Sequence, residues 1–91
     1  MEKILTLHPE GKKGVNISVE KYDQIKDFIL NIVSCQGTIS YKELDAVAKE
    51  NLAPVFDGSV SWYIEVVKLD LEARGIIERI RQKSGYALRM R

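Results

Sequence analysis

The residues of this 91-residue chain best placed to do chemistry are cations and small polar groups rather than nucleophiles. Arg79, Arg81, Lys83 and Arg89 crowd a short C-terminal stretch. They are suited to following a phosphate backbone or entering a minor groove, and equally suited to keeping an exposed hairpin in solution. Lys12 and Lys13, between Gly11 and Gly14, either add phosphate contacts or belong to a solvated loop. Ser59 and Ser61 follow Gly58 at the start of an expected helix. There, small hydroxyls and free amides at the positive end of the helix dipole suit a phosphate, or the serines act simply as caps. With Glu65, Lys68 and Glu72, Ser61 makes one polar helix face, which either reads base edges in a major groove or is merely solvated. Two glutamates beside one lysine oppose the electrostatic attraction that dominates binding to a duplex.

Acid–base, metal and covalent chemistry find little to work with. His8 is the only histidine and is followed by Pro9, so no triad or metal cluster can form around a second imidazole. Gly11-Lys12-Lys13-Gly14 is too short for a phosphate-cradling loop of P-loop spacing. Cys35 is the only cysteine, which excludes an internal disulfide, and its place in an apolar helical stretch predicts a buried thiol. The expectation is a protein that is not an enzyme, with no catalytic residues, metal site, cofactor or small-molecule substrate.

The elements that must position the cations follow from periodicity and caps. Ile4, Leu5 and Leu7 predict a brief strand that pairs with a later one, closed by Pro9 and the glycine-flanked loop. Ser18 caps a first helix over about 18–36, with Tyr22, Ile25, Phe28, Ile29, Ile32 and Val33 at helical spacing up to Gly37. Thr38 and Ile39 predict an extended link. Ser40-Tyr41-Lys42-Glu43 then matches a capping box that opens a second helix over about 41–51, with Leu44, Val47 and Ala48 as its buried stripe.

Asp57 is the expected cap of a third helix over about 58–74, whose stripe is Val60, Ile64, Val67 and Leu71 and whose terminator is Gly75. Two strand-like segments flank Gln82 to Gly85 and predict a hairpin over about 76–91 with one wet face. Trp62, Val66 and Leu69, with Ala73, form a second apolar stripe on the third helix. Either the N-terminal strand and hairpin cover it, or a partner protein or second copy of the chain does.

Apolar residues make up 45% of the chain and charged residues 30%, the balance of an ordinary globular domain, and the length suits one domain over 1–91. The absence of a leader-like or membrane-spanning segment predicts a cytoplasmic protein with no membrane association. The formal net charge is only +1, yet it is unevenly spread. Residues 40–75 hold four cations against seven anions, and residues 76–91 hold five cations against one anion.

Lys68-Leu69-Asp70-Leu71-Glu72-Ala73-Arg74-Gly75-Ile76-Ile77-Glu78-Arg79 resembles the "L-E-x-x-G-L-I-x-R" run that joins recognition helix to wing in winged helix-turn-helix regulators. "H-P-x-G-K-K-G-V-x-I-S" at 8–18 and "F-D-G-S-V-x-W-Y" at 56–63 more closely resemble a family of short uncharacterised bacterial winged-helix-like proteins, over nearly the whole chain. The resemblance implies an α+β winged helix-turn-helix: three helices, a short N-terminal strand and a C-terminal hairpin wing. By analogy of fold it implies a DNA-binding protein, in the manner of a transcription regulator, with double-stranded DNA as partner. The alternative is a non-enzymatic interaction or dimerisation module that keeps the fold without the DNA surface.

Overall fold

The N-terminal apolar run becomes a strand because a second short strand follows the glycine loop. In the computed structural model, which describes residues 2–83 and 85–91, β1 (Lys3–Leu5) pairs antiparallel with β2 (Asn16–Ser18), setting Ile4 opposite Ile17. Thr6 holds the loop closed: its amide donates to the Val15 carbonyl at 2.9 Å, and the Val15 amide donates to its hydroxyl at 3.0 Å. Gly14 permits this approach, since a Cβ there would lie 1.7 Å from the Thr6 carbonyl oxygen.

Ser18 caps α1 (Val19–Gln36), its hydroxyl accepting from the Lys21 amide, and Tyr22, Ile25, Ile29 and Val33 are the buried stripe. Cys35 is exposed, against expectation. Two residues beyond Val33 is roughly 200° around the helix, so the thiol falls on the wet face although its neighbours in sequence are apolar.

Thr38 and Ile39 do more than link two helices. As β3 (Thr38–Ser40) they pair with the last strand, Ile39 opposite Leu88. Ser40 then caps α2 (Tyr41–Leu52), its hydroxyl accepting from the Glu43 amide. The third helix, α3 (Val60–Ala73), is capped by Ser59 instead of Asp57, so it starts two residues later than expected. Val60, Ile64, Val67 and Leu71 are each at most 6% exposed and join the stripes of α1 and α2 in one core. Each such side chain stabilises the fold by roughly 1.5–3 kcal/mol. Gly75, at φ +75°, terminates the helix in the left-handed conformation that lacks a Cβ penalty.

The hairpin is β4 (Ile77–Gln82) and β5 (Gly85–Met90), and the sheet order is β3-β5-β4. Ser84, in the expected turn, lies outside the described residues. The expectation of one wet face needs correction: β5 is the central strand, and the adjacent residues Ala87 and Leu88 are both fully buried, because β3 and the helices cover what a free hairpin would expose. The result is an α+β fold with three helices and a C-terminal hairpin. No helix among the described residues is long and apolar enough to cross a membrane.

Candidate nucleic-acid interface

Lys68 is the only cation within α3, and it is fully buried. Its place on the helix puts it under the seam between the first turn of α2 and the hairpin, where Tyr41 and Tyr86 stack with centroids 5.3 Å apart. The ammonium lies 4.9 Å from one ring centroid and 5.0 Å from the other, close enough for attraction to both π faces. Its carboxylate partners are one turn away on either side, Glu72 at 3.5 Å and Glu65 at 3.8 Å. Burial, reinforced by the Glu65 carboxylate, pushes the Tyr41 phenol well above the usual tyrosine range.

Lys68 was expected on an exposed polar face, and that expectation is overturned. Two aromatic rings and two carboxylates satisfy the charge inside the chain, so it is withdrawn from any ligand. The Ser61 hydroxyl oxygen is buried too, with no hydrogen-bond partner among the described residues, while the Ser59 hydroxyl caps α3 by accepting from the Trp62 amide at 3.3 Å.

The hairpin cations divide into two sets. Arg79 crosses from β4 to α3, donating from Nε to Glu72 at 2.9 Å and from Nη2 at 3.2 Å, and its guanidinium stacks 3.9 Å over Tyr86. The bond to Glu72 holds it still more firmly protonated. Arg89 donates to Glu78 across the β4–β5 pair. Arg81 and Lys83 engage in no ion pair among the described residues, and neither does Lys42 in the first turn of α2. All three are exposed.

Tyr86 separates two shallow grooves beside them. One of 180 Å³ runs between Ser40-Tyr41-Lys42 and Gln82, Gly85 and Tyr86. The other, of 360 Å³, is lined by Arg79, Arg81, Gly85 and Tyr86. Unpaired charge, an aromatic edge and the positive end of α2 thus share one surface, which can attract and seat a polyanion.

A family profile matches residues 3–86, that of the family of unknown function DUF6958. The chain belongs to DUF6958. No curated protein and no solved structure matches it.

The remaining expected site residues of this DUF6958 chain lie elsewhere. Lys12 pairs with Glu10 at 3.3 Å in the β1–β2 loop, and Lys13 is exposed beside it. Trp62 is 45% exposed and meets Tyr63 edge to face. Val66 and Leu69 are half-buried beneath the segment that carries Thr6, Leu7 and Val15. The N-terminal segment therefore covers part of the second apolar stripe and leaves its first residue open.

Sequence reasoning in this DUF6958 member missed Tyr41, Lys42 and Tyr86 as parts of one surface. It also missed Asp70, fully buried, which accepts from the Leu7 amide at 2.9 Å, from Arg74 Nε at 2.8 Å and from the Tyr22 hydroxyl. Burial first, then this bond to Asp70, pushes the Tyr22 phenol up to about 12. The one available signal was an aspartate four residues before an arginine, flanked by Leu69 and Leu71.

Proposed function

We propose that this chain is a winged helix that binds nucleic acid through its hairpin and the first turn of α2, with α3 held back from base readout, and that it acts as a binding module rather than an enzyme. The winged-helix assignment is supported by the order helix, strand, two helices, hairpin, with β3 set against β5 in the order β3-β5-β4. The observation that carries the nucleic-acid reading is the exposure of Lys42 and Arg81 in the two grooves that Tyr86 lines, with the exposed Lys83 next in sequence to Gln82 of the first groove and none of the three in an ion pair among the described residues. Contacts of that kind neutralise phosphates without reading sequence. On α3, by contrast, the only cation is buried and the most open side chains are the aromatic Trp62 and the anionic Glu65, so the helix offers little to a base edge.

Three phosphate contacts predict a salt slope of about −2 to −3 in log K against log salt, and an affinity in the roughly 10⁻⁴–10⁻⁶ M range of non-specific binding. Fluorescence anisotropy on duplexes of unrelated sequence, at low and moderate salt, tests this. Similar affinity for all duplexes, lost when Lys42, Arg81 and Lys83 are changed together to Ala, is the expected result. Binding unaffected by those changes, or absent at low salt, removes the proposal.

A second reading, a protein-interaction or dimerisation module, is favoured by the exposure of Trp62 beside the half-covered Val66 and Leu69. Aromatic side chains on apolar stripes make strong interface anchors. Sedimentation of the chain and of Trp62→Ala tests self-association: a dimer weakened by the substitution supports it, and an unchanging monomer rules a homodimer out.

A further inference from the structure

Between α3 and the β1–β2 loop lies a cleft of 140 Å³, walled by Leu7, Val15, Val66 and Leu69. Hydrogen bonds fix the geometry of the loop around it. The Leu7 amide is tied to Asp70, and Thr6 and Val15 are tied to each other at the closest approach that Gly14 allows. Thr6 also lines the cleft; its amide donates to the Val15 carbonyl and its hydroxyl oxygen accepts from the Val15 amide, which leaves the hydroxyl proton as its remaining donor.

The other polar side chains at the edge are His8 and Lys13. His8 Nδ1 accepts from the Glu10 amide at 3.1 Å, which leaves the proton of the neutral ring on Nε2, a hydrogen-bond donor. Lys13 is exposed and in no ion pair among the described residues. An apolar cleft rimmed by two donors and no carboxylate among its lining residues is complementary to an anion with an apolar body. The volume sets the size of that body, since a cavity of roughly 150 Å³ accepts one benzene ring.

We infer that this cleft is a binding site for a small apolar carboxylate, its ring or short aliphatic chain against Leu7, Val15, Val66 and Leu69 and its carboxylate at Lys13 and His8. The inference is independent of the nucleic-acid reading, which uses the hairpin and the first turn of α2.

Benzoate, benzyl alcohol and benzylamine share a ring and differ in charge, so the three probes separate head group from body. In amide-resolved NMR titrations of the full chain, benzoate is expected to shift Leu7, Lys13, Val66 and Leu69 with a Kd of about 1 mM or below. Benzyl alcohol is expected to bind at least about tenfold more weakly, a difference of about 1.4 kcal/mol, and benzylamine more weakly again. Lys13→Ala should reduce benzoate affinity to that of the alcohol, and Leu69→Trp should fill the cleft and abolish binding while the rest of the spectrum is kept. Should Leu69→Trp perturb the fold, Val66→Phe fills the cleft from the same helix, and the three-probe comparison on the unaltered chain decides alone. Benzoate shifts that are absent or scattered away from these amides, or equal affinity for benzoate and benzyl alcohol, overturn the inference.

Discussion

Lys68 and Asp70 are both fully buried and stand two residues apart on α3, so their side chains leave the helix roughly 200° apart. One carries a positive charge toward the hairpin and α2, the other a negative charge toward α1 and the N-terminal segment. The two are satisfied differently. Lys68 has four neighbours that each share the load, and its closer carboxylate, Glu72, keeps Arg79 as a second partner. Asp70 is the sole acceptor joining three donors from three parts of the chain, and the Tyr22 hydroxyl is buried with it. A buried charge inside a redundant network can be lost with modest consequence, whereas a single acceptor on which several donors converge cannot.

The sharpest way to break the comparison is to remove each charge. Asp70→Ala strands the Tyr22 hydroxyl and the Leu7 amide and should cost about 3–5 kcal/mol, read as a fall in the urea midpoint with unchanged slope. Gly14→Ala attacks the same side without touching a charge. Its Cβ would overlap the Thr6 carbonyl, so a cost of about 1–3 kcal/mol is expected, with amide exchange accelerated at Thr6, Leu7 and Val15 and little altered in α2. Lys68→Met keeps the packing beneath Tyr41 and Tyr86 and leaves Glu72 paired with Arg79, so its cost should be about 1–2 kcal/mol. Equal losses for Asp70→Ala and Lys68→Met would refute the contrast drawn between the two sites.

The smallest effect is in alkaline solution, where each network contains a tyrosine whose phenol is pushed up, Tyr22 beside Asp70 and Tyr41 beside Lys68. Tyr22 has an ordinary value of 10.0 and is raised to about 12, so the unfolded chain loses this proton first as pH climbs. The stability linked to that proton is complete below pH 10 and disappears by about pH 12. Tyr41 is raised in the same direction and adds to the slope. Urea midpoints measured from pH 9 upward should therefore fall, with Tyr22→Phe and Tyr41→Phe each removing part of the dependence. A midpoint flat through this range would contradict both shifts.

Much of the frame was legible in local sequence. The caps at Ser18 and Ser40, the stripe Val60, Ile64, Val67 and Leu71, and the stop at Gly75 depend on neighbours within a turn or two, and such signals survive without tertiary information. The site was far less legible. Lys68 reads as solvated from its place on a polar face, and only the stacking of Tyr41 on Tyr86, which are far apart in sequence, reveals that it is enclosed. Lys42 reads as an ordinary residue after a cap until the hairpin brings Gln82, Gly85 and Tyr86 beside it.

By itself the sequence determined the three helices, the glycine-closed loop and the concentration of cations near the C-terminus, because backbone preference, hydrophobic period and charge count are local quantities. Only the tertiary structure decided which of those cations remain available. Ion pairing and desolvation depend on what the fold brings within a few ångströms, and here the fold encloses Lys68, commits Arg79 and Arg89 to glutamates, and leaves Lys42, Arg81 and Lys83 facing solvent.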